Sequence, residues 1–480
     1  MMTASPPAAG VTGLRARLSY GLGAAAFGIK DNGFSYLLLI YYNQVLGLPA
    51  SVVGAAILLA LVIDGVIDPL IGHASDRTRS GMGRRHPWMY AAAVPAALAY
   101  WALWTPPAAF AADPTALTAW LFGCAVLVRV LIAMSEIPSA AMVGELTDDY
   151  DERTRFVGWR YFFGWSGGIA GGVIAFAVFL QPTAAQPTGV LNRAGYAGYG
   201  LAAALAMAGF TLASALLTHR YIPMLKAAPA LAERYASQFA AVRAALTNGA
   251  FLSILVAGLF SAMAAGLAAA LNVYINTYFW GLSSDQISAL ILASLLAAAL
   301  ALVLAGLLSR GRDKKRAAVL TFASTIVIGP LPLLLRLGGL MPVNGAPALM
   351  PILFAHAVVL VALFITSSIL VTSMLTDTIE ANERETGQRS EGLYFGANFF
   401  VQKCVTGFGI FASGTIIDAI GFPRGAAPGS LPSGVLDHLV TAYLPVTTGC
   451  LLIALTALSR YGVTRAAHES ARYARARTLG

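Results

Sequence analysis

The sequence predicts an all-α protein that crosses a membrane twelve times, as two pseudo-symmetric six-helix halves. Three observations carry this. Of 480 residues, 58% are hydrophobic and only 11% charged, whereas a soluble chain carries about a quarter charged residues. Apolar runs such as 34–63, 251–271 and 289–308 recur along the chain. Each is long enough, or nearly so, to cross a ~30 Å hydrocarbon core as a helix. A short, polar, basic stretch at the middle of the chain divides these runs six and six.

Residues 1–17 read as a tail without the early basic region and small-residue cleavage site of a cleavable signal peptide. Spans are then expected at 18–46, 51–75, 88–106, 116–143, 157–181 and 197–218, which make the first half, 18–218. The loop 219–249 follows. The second half, 250–460, holds spans at 250–280, 286–309, 317–337, 349–376, 392–420 and 437–460. The third span is the weakest, because Pro95, Pro106 and Pro107 interrupt or follow it. Residues 461–480 form a basic tail.

Loop charge orients these spans. Of the 31 Lys and Arg residues, Arg193, Arg336 and Arg424 lie near one set of ends, and Lys30, Arg129, Arg160 and Lys403 lie inside spans. The other 24 fall in the tails and even-to-odd loops, so both termini are expected in the cytoplasm. Basic loops against an anionic leaflet account for the net charge of +9, and no nucleic acid is needed. Cys124, Cys404 and Cys450 sit within apolar spans and suggest neither disulfides nor a zinc site. Abundant Ala and an excess of Arg over Lys point to a GC-rich bacterial genome, hence an inner membrane.

The halves repeat. "ELTDDYDERTRFVGWRYFFGW" follows the fourth span and "MLTDTIEANERETGQRSEGLYFG" the tenth, each with Leu-Thr-Asp, then acids, arginines and an aromatic helix start. "GHASDRTRSGMGRR" after the second span has a looser basic counterpart in "GLLSRGRDKKR" after the eighth. Internal repeats of this kind mark secondary transporters. Asp76, Arg77, Asp148, Asp149, Arg153, Asp377, Glu380 and Arg389 are expected to form a cytoplasmic gate. Exposed pairs worth ~0–1 kcal/mol each suit a latch that must open; a solvated, helix-capping loop is the other reading.

"DGVIDPLIGHASDRTRSGMGRRHPW", "EIPSAAMVGELTDDYDERTR" and "DTIEANERETGQRSEGLYFG" closely resemble the glycoside–pentoside–hexuronide:cation symporters, the melibiose-permease family of the major facilitator superfamily. The resemblance covers Leu18 to about Arg460. It implies the major facilitator fold, with a central cavity open alternately to either side, and a coupling cation on Asp64 and Asp68. Four residues apart on a helix, these carboxylates share one face. Asp64 lies about 14 residues into its span, ~21 Å at 1.5 Å per residue. Two like charges so close repel, and a metal cation or a proton relieves this. Sodium is the first expectation for the ion, with a proton as alternative, since the family's Asn before the second aspartate and Thr before the fourth-helix acid are here Ile67 and Ala133.

The resemblance also assigns Glu136 and Arg160 to substrate and Lys403 to coupling. Glu136 has a structural alternative as partner of Arg129 or Arg160, and Arg160 has one as an end-of-span arginine that snorkels. The first-helix Lys-Asp pair of the sugar symporters aligns with Phe27 and Gly28. Lys30 and Asp31 lie slightly deeper, about 100° apart on the helix, either as a displaced binding group or as links to another helix. Trp159 beside Arg160, Tyr274 in "LNVYINTYFW", and the four-residue stripe of Tyr394, Asn398 and Gln402 complete the candidate substrate contacts. The expected function is cation-coupled symport of a glycoside or related sugar by a monomer, without other cofactors. The alternatives are symport of a lysophospholipid or other amphiphile, and a non-transporting receptor or scaffold. No phosphate-cradling Gly-Lys loop, nucleophile elbow or His/Cys metal cluster points to an enzyme.

Overall fold

The computed structural model describes residues 11–147, 149–225, 248–309, 313–386 and 391–462, with the backbone alone described at 150, 309, 380–386, 391–400 and 433. Asp148 and Arg389 therefore lie outside the described residues, as do the side chains of Glu380, Tyr394 and Asn398. Helices dominate. They are α1 (14–45), α2 (Ala50–Arg77), α3 (His86–Trp104), α4 (Pro114–Leu146), α5 (Asp151–Phe179), α6 (Arg193–His219), α7 (Gly249–Phe279), α8 (Ser284–Ser309), α9 (Lys314–Leu337), α10 (Leu349–Thr386), α11 (Glu391–Ala419) and α12 (Ser433–Ser459).

Among the described residues, nine of these are long and apolar enough to cross a membrane: α2, α4 to α10 and α12. The remaining three differ for particular reasons. α1 is interrupted by a turn at Gly23 and two π-helical turns, and α3 carries His86, two prolines and several aromatic residues that dilute its hydropathy. α11 begins in the stretch where only the backbone is described. α10 runs ten residues past the expected end of its span, because "DTIEANERET" contains no helix breaker.

The chain divides into two compact units, Met1–Ala230 and Leu231–Gly480. Within the first, α1 packs on α5 and α6, α2 on α4, and α3 on α4 and α6. Within the second, α7 packs on α11 and α12, α8 on α10, and α9 on α10 and α12. Adding six to each helix number converts the first set of pairings into the second, which is the signature of a duplicated unit.

The duplication reaches individual backbone hydrogen bonds. α1 ends in a π turn, Tyr41–Val45, and α7 in another, Ile275–Phe279. In the first, Leu46 N–H donates to the Tyr41 carbonyl at 3.1 Å and Leu48 N–H to the Tyr42 carbonyl at 2.9 Å. In the second, Trp280 and Leu282 make the same bonds to Ile275 and Asn276 at 3.0 and 2.9 Å. Gly47 (φ 82°) and Gly281 (φ 63°) take the left-handed turn that follows, a conformation that glycine adopts at no steric cost.

One end of the first unit is tied by charge. Arg85, opening α3, bonds Glu145 at the end of α4 at 2.7 Å, Asp76 of α2 at 2.5 Å and the Ser75 hydroxyl at 2.7 Å. Arg84 joins Glu145 at 2.8 Å. Glu145 and Arg85 are each 5% exposed, so removing one partner strands a buried charge. Glu145→Ala is expected to cost ~3 kcal/mol of stability, measurable by thermal unfolding of the purified protein, with Arg85→Ala similar and the double variant short of the sum. In the second unit Lys314, opening α9, bonds Asp377 of α10 at 2.8 Å, the corresponding pair of helices.

Candidate functional site

α2 and α4 pack side by side, and each carries acidic residues inside its apolar length. Asp64 is buried and Asp68, one turn on, is half-buried. Pro69 sits inside α2 without breaking it. Having no N–H, it gives nothing to the Gly65 carbonyl four residues back, so a backbone acceptor is placed between the two aspartates. Pro138 does the same for the Met134 carbonyl beside Glu136 on α4.

Asp64 meets Arg129 of α4. The guanidinium Nη1 lies 3.1 Å from Asp64 Oδ2, with both side chains 3% exposed. The Phe34 ring covers the guanidinium, 4.6 Å from its centroid. Arg129 stands one helical turn before Ala133, the position at which the resemblance leads one to expect a neutral oxygen. The wall facing Asp64 therefore carries a fixed positive charge. At an effective dielectric of about 20, two unit charges 4 Å apart interact by ~4 kcal/mol, so any ion added here meets a substantial repulsion.

Glu136 pairs instead with Arg160 of α5. Arg160 Nη2 is 3.4 Å from Glu136 Oε1 and donates to the Glu136 carbonyl at 3.3 Å, while Nη1 donates to the Ser139 hydroxyl at 3.1 Å. Arg160 is thus held sideways inside the unit. These residues line a small cleft together with Gly23, Phe27, Ser135 and Thr211. A guanidinium, a carboxylate and hydroxyls around one small space offer donors and acceptors in the mix that a polyol needs.

Lys30 is 2% exposed, with its ammonium 4.2 Å from the Phe27 ring centroid. Its Nζ comes within 3.7 Å of Asp31 Oδ1, so the long side chain folds back across the angle that separates the two positions. Asp31 itself is 53% exposed. Asp31, Arg129, Asp64 and Glu136 all act electrostatically on Lys30, so the acids and bases of α1, α2 and α4 form one charged group inside the unit.

Other expected contacts are placed differently. Tyr274 is fully buried, 5.6 Å edge-on from Phe422 and beside Tyr278. Trp159 is half-buried and packs on Phe162. Lys403 and Gln402 are half-buried on α11 of the second unit. Of the expected gate residues, Asp149 caps α5 by accepting from Glu152 N–H at 2.8 Å, and Arg153 Nε donates to the Thr147 carbonyl at 2.9 Å. Arg77 is exposed. With Asp76 and Asp377 paired as above, Asp76, Asp149, Arg153 and Asp377 each have a bond inside their own unit.

The residue that sequence reasoning missed is Arg129. It was visible as an arginine inside "CAVLVRVLIAM", and an intramembrane charge is by default a functional candidate.

The family described as MFS/sugar transport protein matches residues 19–465. The chain belongs to that family. An uncharacterized symporter of Synechocystis sp. is 26% identical over 95% of each chain. A putative glycoside/cation symporter of Escherichia coli is 30% identical over 33% of this chain and 34% of its own. An isoprimeverose transporter of Lactiplantibacillus pentosus is 27% identical over 31% and 30%. Among solved structures, a D-xylose-proton symporter superposes with a TM-score of 0.62 at 15% identity, covering 92% of this chain and 96% of that one. The fold is that of the major facilitator transporters, and the protein is a multi-pass membrane transporter rather than an enzyme. The lysophospholipid alternative gains nothing from these relatives.

Proposed function

We propose that this transporter couples a cation at Asp64 and Asp68 to uptake of a glycoside held at Glu136 and Arg160. Among the relatives, one is named a putative glycoside/cation symporter and another an isoprimeverose transporter, which supports cation-coupled sugar symport here. The observation that carries the reading for this chain is the adjoining of two charged centres in one six-helix unit: the buried Asp64 centre and the hydroxyl-lined Glu136–Arg160 cleft. A scaffold gains nothing from buried charges that cost several kcal/mol to insert.

In this reading Lys30, Asp31 and Trp159 contribute on the first half, Asn398 and Gln402 on the second, and Lys403 is the coupling lysine. Asp31, an exposed carboxylate on a membrane helix, belongs to a water-accessible surface, since lipid would oppose it. Asp76, Arg77, Asp149, Arg153 and Asp377 act at the cytoplasmic end as the cavity opens and closes. The protein works as a monomer in a bacterial inner membrane with both termini inside. Linkage requires that substrate tighten cation binding by the same factor as cation tightens substrate.

The test is uptake into vesicles of a panel of glycosides, uronides and lysolipids, with sodium and pH gradients imposed separately. Accumulation of a glycoside above equilibrium with one gradient is expected. Equilibration without accumulation under either gradient would sink the symport reading. The Glu136–Arg160 pair leaves little uncompensated positive charge in the cleft, so neutral glycosides are expected to outcompete uronides in the same panel.

A further inference from the structure

Arg129 has no part in the cation site that the motifs suggest, yet it forms a buried ion pair with Asp64. Its guanidinium cannot lose its charge in a protein, so it can be displaced but never neutralised. Arg129 Nε is buried with no hydrogen-bond partner among the described residues. A buried guanidinium with a donor to spare has bonding capacity left for a second arrangement.

Charged residues of its own unit stand near Asp64 on three helices. α4 presents Arg129 and, two turns on, Glu136, which Arg160 of α5 already holds. α1 presents buried Lys30, with Asp31 at its side. α2 itself adds Asp68 one turn away. We propose that Arg129 is the resident counter-cation of Asp64 and that the coupling ion is a proton which competes with it for the carboxylate. The proton adds to Asp64 as a carboxylic O–H, the ion pair to Arg129 breaks, and release of the proton on the other side restores the pair. The guanidinium keeps its charge throughout, so one positive charge crosses with each sugar.

A sodium ion fits this wall poorly. It must expel the guanidinium and then sit near both Arg129 and Lys30, while Ile67 and Ala133 supply no side-chain oxygens. Several oxygen ligands are what a hard cation requires. A proton needs one lone pair of one carboxylate. The inference rests on the symport reading and names its ion.

The test uses the purified full-length chain in lipid nanodiscs, with sodium and protons as the probes and no sugar. Saturable binding of radioactive sodium is expected to be absent in the wild type, gained in Arg129→Gln, absent in Arg129→Lys, and lost again in Arg129→Gln/Asp64→Asn. A gain cannot arise from misfolding. The infrared carbonyl band of protonated Asp64, assigned by its loss in Asp64→Asn, is expected to titrate at least tenfold more readily in Arg129→Gln, a midpoint one pH unit higher. In the wild type, sodium is expected to leave that midpoint unmoved. Saturable sodium binding by the wild type, or a midpoint that falls as sodium is added, overturns the proton. An unmoved midpoint in Arg129→Gln overturns the role of Arg129. Should that variant fail to fold, the two wild-type measurements still decide. Failure here leaves symport standing, since that reading is decided by accumulation in the vesicle panel.

Discussion

Asp64→Asn is expected to abolish accumulation of sugar against a gradient while leaving exchange of sugar across the membrane intact. The asparagine keeps the shape of the aspartate and still offers Arg129 an acceptor, so the Glu136–Arg160 cleft is undisturbed and substrate can equilibrate. It cannot carry the coupling ion, so the accumulation ratio falls to one. Counterflow and gradient-driven uptake, measured on the same vesicles, separate these effects. Accumulation by Asp64→Asn would place the ion elsewhere. Asp64→Ala adds a stability defect that the asparagine largely avoids, because it strands the guanidinium of Arg129, 3% exposed, with its acceptor removed. Breaking a buried pair from one side costs ~3–5 kcal/mol. Removing both partners, as in Asp64→Ala/Arg129→Leu, is expected to recover part of that loss, with a coupling of roughly 0.5–3 kcal/mol in thermal or denaturant unfolding.

What was legible in the sequence follows from how membranes constrain a chain. Apolar length reveals spans, and loop arginines orient them, because both respond to the bilayer rather than to the fold. The Leu-Thr-Asp repeat revealed the duplication for a similar reason: it lies at the polar ends of the expected spans, where apolar composition no longer masks pattern. Inside the spans the signal weakens. Lipid and protein core are both apolar, so the face that each helix turns inward leaves little trace, and partners of buried charges cannot be read from spacing along one helix. Asp64 and Arg129 sit on different helices, 65 residues apart. Glu136 had two arginines to choose between, and only packing of α5 against the unit selected Arg160. Tyr274 stands just before a π turn, Ile275–Phe279, and packs edge-on against Phe422. That turn repeats at Tyr41 and Ile275 with little side-chain identity, since it is written in backbone hydrogen bonds.

Gly28→Val and Gly409→Val are each expected to cost ~3 kcal/mol or more, enough to reduce folded protein in the membrane severely. A Cβ on Gly28 of α1 would overlap the Gly164 carbonyl oxygen of α5 and stand 2.8 Å from the Gly168 nitrogen. A Cβ on Gly409 of α11 would overlap the Met263 carbonyl oxygen of α7 and stand 2.8 Å from the Leu267 nitrogen. In both cases the obstacle is backbone, which cannot rotate aside, so the helices must separate. Overpacking usually costs 1–3 kcal/mol where side chains can yield, and here none can. Within lipid there is little hydrophobic drive to hold helices together, so close contact at small residues carries more of the association. Gly209→Ala in α6 is the control, because its Cβ meets nothing within 4 Å, and replacing a helical glycine there is expected to gain roughly 0.5–1 kcal/mol. Gly28→Ala, which adds that Cβ and nothing beyond it, is the smallest change that tests function through the same seam. α1 brings Gly23 and Phe27 to the cleft and α5 brings Arg160, so the α1–α5 spacing sets the width of the cleft proposed to hold sugar. A small outward shift should therefore weaken sugar transport at unchanged ion affinity, a division that uptake kinetics and ion titration read separately. Equal loss of both would mean that the seam acts on the whole unit and not on the cleft.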